Sequence, residues 1–170
     1  TYRARFVLIG SMNPEEGKLR PQILDRFGLR VVVRGLENSG ERLEAYRRVQ
    51  AYLANPRAMI GLYADEIAAA TREIQDARKA LRRVRLPDSL ATHAIALIQK
   101  MGIDSLRAEI TWFEAARAYT AADGREEVSA DDLHAVAPMA LRLRRSVFMN
   151  EYFSSQQGEE DELTGLLKTL

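Results

Sequence analysis

The chain has no cysteine, which removes disulfide staples and thiolate chemistry together. Its two histidines, His93 and His134, lack a nearby constellation of carboxylates or thiolates at metal-ligand spacing, so no transition-metal site is expected. No apolar run approaches the roughly 18–20 residues needed to span a bilayer. No signal peptide is legible, so the expected compartment is cytoplasmic. Charge of one sign is also missing. Lys and Arg number 25 against 24 Asp and Glu, a balance that argues against a dedicated nucleic-acid binder. There is no G-x-x-x-x-G-K-[ST] phosphate loop and no apolar strand that ends in an acidic pair. What remains is a soluble globular composition, 46% hydrophobic over 170 residues, enough for one sizeable core.

The most informative stretch lies between Gly10 and Gly28. It follows Phe6-Val7-Leu8-Ile9, a short apolar run that reads as a buried parallel strand. A second such run is Leu29–Val33. Ligands of parallel α/β sheets bind at strand ends, and Asn13 stands just past the first one with an amide that donates and accepts. Pro21 opens a short helical segment to Phe27 that displays Arg26, and Gly28 frees the chain to turn. An amide at a strand tip can orient water near a γ-phosphate, and an arginine can neutralise transition-state charge. The bland readings are a turn at Asn13-Pro14 and a surface ion pair at Arg26. Glu15 and Glu16 are adjacent loop residues and do not fit a glycosidase pair. Lys18 lacks the glycine frame of a phosphate-loop lysine.

Beyond Leu36–Gly40 the pattern turns helical. Asn38 and Ser39 are available as caps for a helix over Glu41–Leu53. Asn55-Pro56 reads as a cap followed by a first-turn proline. Ile60, Tyr63, Ile67, Ala70, Ile74, Ala77, Leu81 and Val84 alternate steps of three and four, predicting a helix of about 28 residues if Gly61 does not break it. Its flanks carry Arg72, Arg78, Lys79, Arg82, Arg83 and Arg85, read as a solvated face or a partner contact. Asp88 or Ser89 caps the next helix, with Leu90, Ala94, Leu97 and Met101 on one face and Gly102 as its stop. A helix from Ser105 to Ala122 has a broad arc, Leu106, Ile110, Trp112, Phe113, Ala116 and Tyr119, with the aromatics read as core. The last runs from a Ser129–Asp132 start to about Arg145, buried through Leu133, Val136, Ala140 and Leu141. Arg107 falls in a helical first turn, where the macrodipole disfavours a cation. A nearby phosphate or a salt bridge relieves that conflict.

Four words, "GSMNPEEG" (10–17), "LRPQILDRFG" (19–28), "GIDSLRAEIT" (102–111) and "VAPMALRLRR" (136–145), closely resemble the ATPase subunit family of magnesium chelatase, within AAA+. Met12 stands where that family usually has a small residue. The resemblance implies that Asn13 is the first sensor, at the γ-phosphate, and that Arg26 is an arginine finger reaching the neighbouring subunit's ATP. It implies that Arg107 is the second sensor, touching nucleotide from a helical lid, and gives Arg20 a supporting basic position. The implied fold is an α/β fragment, mainly helical: the C-terminal end of a nucleotide-binding core over 1–36, a helical region with the lid over 37–145, and a polar tail over 146–170.

The implied reaction is ATP hydrolysis coupled to Mg²⁺ insertion into protoporphyrin IX, in cytoplasm or plastid stroma. ATP and Mg²⁺ would be held mainly by residues outside this chain. Implied partners are further copies in a ring, a second AAA+ chelatase subunit, a large porphyrin-binding subunit and the N-terminal half of the same protein. Two strands do not make a stable sheet, so the missing strands and the phosphate loop are expected upstream, and the chain is expected to be inactive alone. Alternatives are a MoxR-like AAA+ ATPase that remodels protein or loads metal, and a non-enzymatic helical interaction module.

Overall fold

A computed structural model describes residues 6–13, 15, 17 and 20–144. Seven helices form among the described residues: α1 (Pro21–Leu24), α2 (Ser39–Ala54), α3 (Pro56–Leu62), α4 (Ala64–Ala80), α5 (Asp88–Lys100), α6 (Leu106–Ala122) and α7 (Ala130–Leu141). The start signals at Asn38, Asn55 and Ser129 act as their chemistry predicts, whereas neither Asp88 nor Ser89 caps α5, whose N-cap is Pro87 with no side-chain cap bond. The Asn38 side chain accepts from Gly40 and Glu41 N–H at 2.8 and 3.2 Å, opening α2. Asn55 closes α2 and caps α3, accepting from Ala58 N–H at 3.1 Å. Ser129 and Asp132 form a reciprocal capping box on α7. Gly102 and Gly124 follow α5 and α6 with φ of 64° and 71°, the left-handed region that ends a helix.

Three local expectations fail for non-local reasons. No strand forms among the described residues, and Phe6–Ile9 and Leu29–Val33 are irregular. A strand needs a partner along its N–H and C=O groups, and among the described residues these runs find no ladder, only the single bond from Arg30 N–H to the Met139 carbonyl at 2.9 Å. Their apolar side chains stand exposed instead. The long helix breaks at Tyr63, not Gly61: α3 ends there and α4 begins at Ala64. Only the last part of the apolar seam, Ala77, Leu81 and Val84, reaches the core. Finally, α7 ends at Leu141, short of Arg145. The 146–170 tail lies outside the described residues.

The core belongs to α4–α7, with α6 packed on α4, α5 and α7. On α6 the buried row is Ala108, Trp112, Ala116 and Thr120, one residue every four, which is a helix ridge. Leu106, Ile110 and Tyr119 from the expected arc are exposed. On α5 the buried residues are Ala94 and Ile98, and Leu97 and Met101 are exposed. All four expected α7 residues are buried. The Trp112 indole donates to the Leu133 carbonyl at 2.8 Å, which satisfies its polar edge inside the core. A short parallel bridge between Arg85 and Glu127 ties the α4–α5 joint to the α6–α7 joint. Arg83 pairs with Glu126 at 3.3 Å and Lys79 with Asp76 at 2.8 Å, so part of the basic face is neutralised within the chain.

Candidate functional site

The turn after α1 is held against the helical bundle by charge. α1 starts with the Arg20 carbonyl accepting from Ile23 and Leu24 N–H at 2.9 and 3.0 Å. Two further turns, Arg26 N–H to Ile23 and Phe27 N–H to Leu24, carry the chain to Phe27. The Pro21–Phe27 segment thus consists of one helical turn and a continuing bend. Gly28 closes the bend without a left-handed φ. An added Cβ there would meet Thr111 of α6 at 3.5 Å, so its value is a close approach to the bundle rather than turning freedom.

Asp25 is the hub. Its Oδ2 accepts from Arg107 at 2.8 Å, and its Oδ1 accepts from Arg144 at 2.8 Å and from the Ser105 hydroxyl at 3.3 Å. Arg30 stands 4.0 Å away. Burial pushes the Asp25 carboxyl up, but the Arg107 bond and the charges of Arg144 and Arg107, with the Ser105 hydroxyl, outweigh it and hold the group below its ordinary value. Burial lowers Arg30 and Arg144, and the attraction of Asp25 opposes it in both. Three guanidinium groups around one carboxylate leave surplus positive charge. The open member is Arg107, whose side chain is 63% exposed against 1% for Arg144.

The expected site residues therefore divide. Arg107 sits in the first turn of α6, and a salt bridge does relieve the dipole conflict, with Asp25 from the turn after α1 as partner. Arg26, next to Asp25 in sequence, is exposed and makes no ion pair among the described residues. Asn13 is exposed, and its side chain accepts from Glu15 N–H at 3.3 Å, which is the turn reading. No contact among the described residues joins Asn13 to Arg26 or Arg107. Its loop nonetheless begins against the same turn, because a Cβ at Gly10 would lie 3.4 Å from Phe27 Cζ. Arg20 is exposed, and among the described residues its backbone rather than its side chain is engaged. His93 Nδ1 donates to the Ser89 carbonyl at 2.7 Å within α5. Among the described residues no group of three or more His, Cys, Asp or Glu could hold a metal ion.

Residue-by-residue reading missed Asp25, Arg30 and Arg144. Arg30 hides inside an apparent apolar strand, and Arg144 inside "LRLRR". The one available signal was a charged side chain within or directly after an apolar pattern.

Residues 91–165 match the family described as the AAA lid domain. The chain is 38% identical over 159 residues to the magnesium-chelatase subunit ChlI homolog of Methanocaldococcus jannaschii, covering 92% of this chain and 44% of that protein. It is 45% identical over 141 residues to the magnesium-chelatase 38 kDa subunit of Acidiphilium rubrum, covering 83% and 41%. The 38 kDa subunit of Cereibacter sphaeroides is likewise 45% identical, over 144 residues, with 84% and 43% covered. The chain thus spans less than half the length of these relatives. The crystal structure of a candidate ATPase from Cytophaga hutchinsonii aligns at a TM-score of 0.56 and 19% identity, over 87% of this chain and 48% of that one. That likeness shows a shared fold.

Proposed function

Given that the chain belongs, over the segment it spans, to the AAA+ family of magnesium-chelatase ATPase subunits and their homologues, we propose that it is the lid-bearing part of an ATPase that drives Mg²⁺ insertion into protoporphyrin IX. On this reading the phosphate loop and the Mg²⁺ ligands come from the rest of the protein. Copies assemble head to tail in a ring, because a finger supplied in trans needs a neighbour. A second AAA+ subunit and a porphyrin-binding subunit complete the machine.

The observation that carries the reading is the solvent-facing Arg107 at the start of α6, part of a cluster with surplus positive charge. A triphosphate satisfies that surplus, and a planar guanidinium binds phosphate oxygens in pairs. In this assignment Arg107 contacts nucleotide in its own subunit, Asn13 orients water near the γ-phosphate, and Arg26 extends to the next subunit's pocket. Arg20 adds positive charge along the same loop.

The test is ATP binding to the full-length protein carrying Arg107→Ala. Arg107 exchanges one anionic partner, Asp25, for another, so the net loss is that of one charge-assisted bond, about 1.5–3 kcal/mol. ATP affinity should fall about tenfold or more, with ADP affinity less affected. Unchanged affinity together with unchanged turnover would remove Arg107 from the pocket and favour the interaction-module alternative.

A further inference from the structure

The Arg26 turn is fastened to the end of the lid by two buried guanidinium groups that the proposed chemistry does not use. Arg144 follows α7, and its Nε donates back to the Ala140 carbonyl at 2.6 Å. Its other nitrogens reach forward to Asp25 at 2.8 Å and to the Gly28 and Phe27 carbonyls at 3.0 and 3.4 Å. Arg30 makes the reverse clamp. From the far side of the turn it donates to the Arg142 and Leu143 carbonyls at 2.9 and 2.8 Å and to the Leu24 carbonyl at 2.6 Å. Its backbone N–H adds a bond to the Met139 carbonyl at 2.9 Å. The side-chain bonds from Arg30 to Arg142 and Leu143 and from Arg144 to Asp25, Phe27 and Gly28 join residues more than 110 positions apart. Buried guanidinium is tolerated only where carbonyls and carboxylates replace its water, so each clamp holds its partners in a fixed geometry. Arg26, between the two clamps, stays exposed.

Resting on the function proposed above, we infer that Arg30 and Arg144 are positioning residues that make the finger turn and the lid one body. Arg107 hangs from the same lid and meets the same Asp25. A lid shift caused by nucleotide in one subunit then carries Arg26 toward or away from the pocket of the next. Neither clamp residue touches substrate. Their effect is exerted on the neighbouring subunit's hydrolysis and not on their own subunit's nucleotide binding.

Mixed rings of the full-length protein test this. Arg144→Lys alone should lower ATP turnover about tenfold with the KM for ATP unchanged. It is then mixed one to one with either of two partners. The first carries Arg26→Ala. The second is disabled in its own phosphate loop, supplied by the rest of the protein. The control pair, Arg26→Ala with the phosphate-loop variant, should regain about a quarter of wild-type turnover by random mixing around a head-to-tail ring. Arg144→Lys should likewise regain activity with the phosphate-loop variant but not with Arg26→Ala, since both of those lack a working finger. Arg30→Lys should sort the same way, and it decides alone if Arg144→Lys does not fold. Recovery with Arg26→Ala and none with the phosphate-loop variant, or full activity of both lysine variants, overturns the clamp while the trans finger stands. An inactive control pair overturns the trans finger and the clamp with it.

Discussion

Arg26→Ala in the assembled full-length protein should lower ATP turnover by about 10³-fold, the low end of what an arginine finger contributes, and leave ATP affinity within about twofold. The two halves of that expectation have separate physical grounds. Arg26 is exposed and makes no ion pair among the described residues, so truncating it strands no buried partner and the fold should tolerate the change. Nucleotide in the same subunit is assigned to Arg107, which remains. What disappears is a cation aimed at charge that grows only as the γ-phosphoryl group leaves. An interaction made only in the transition state lowers kcat without weakening substrate binding. Arg26→Lys should recover little, because an ammonium cannot reproduce a planar fork. Parallel equilibrium binding and single-turnover measurements decide the matter. Turnover within about twofold of wild type would return Arg26 to the status of a solvated surface residue.

How much of this was legible in the chain depends on how far each determinant reaches. Caps at Asn38, Asn55 and Ser129 and stops at Gly102 and Gly124 are local chemistry, readable within a few residues, and they hold. The strand-like runs are locally convincing, yet a strand is a two-partner object, and among the described residues no neighbouring strand pairs with Phe6–Ile9 or Leu29–Val33. On α5, Ile95, Leu97 and Ile98 make the helix apolar around much of its circumference. Periodicity alone cannot choose between adjacent rows, and packing on α6 chooses Ala94 and Ile98. At the site, the conflict of Arg107 with its helix dipole was visible in the sequence. Its partner was not, because Asp25 lies 82 residues away. Arg30 shows the limit most clearly. Inside an apolar run it looks like an interruption, whereas it is the one buried residue of Leu29–Val33. Its orientation is set by carbonyls at 142 and 143.

Asp132→Asn should cost about 3 kcal/mol of stability, the lower end of the loss when a buried ionic partner is removed. The carboxylate is 1% exposed, and it serves five donor groups from three residues. Its Oδ2 accepts from Arg125 at 2.8 Å, the Thr120 hydroxyl at 3.0 Å, and Ser129 N–H and hydroxyl at 2.8 and 2.9 Å, while a second Arg125 nitrogen bonds Oδ1. One side chain thus closes the α7 capping box and joins it to α6 through Thr120. An amide turns half of that acceptor into a donor facing other donors, and the buried Thr120 hydroxyl, shut off from water, is left with the Ala116 carbonyl at 2.9 Å. Arg125 is 41% exposed and can rehydrate, which keeps the loss at the lower end. The bond from Arg125 is the main force that holds the Asp132 carboxyl well below the usual carboxylate range, burial opposing it. A folded-state value below the unfolded one means stability that is fully present at neutral pH. It is lost as the pH falls below the ordinary carboxylate range near 4 toward the lower folded value. Asp25 acts with the same sign. Urea unfolding followed at Trp112, the single tryptophan of the chain, should therefore show a wild-type midpoint that drops below about pH 4. The gap to Asp132→Asn should narrow as it does so. A gap that stays constant across that range would mean that the carboxylate's charge contributes nothing and that only its shape matters to the cap.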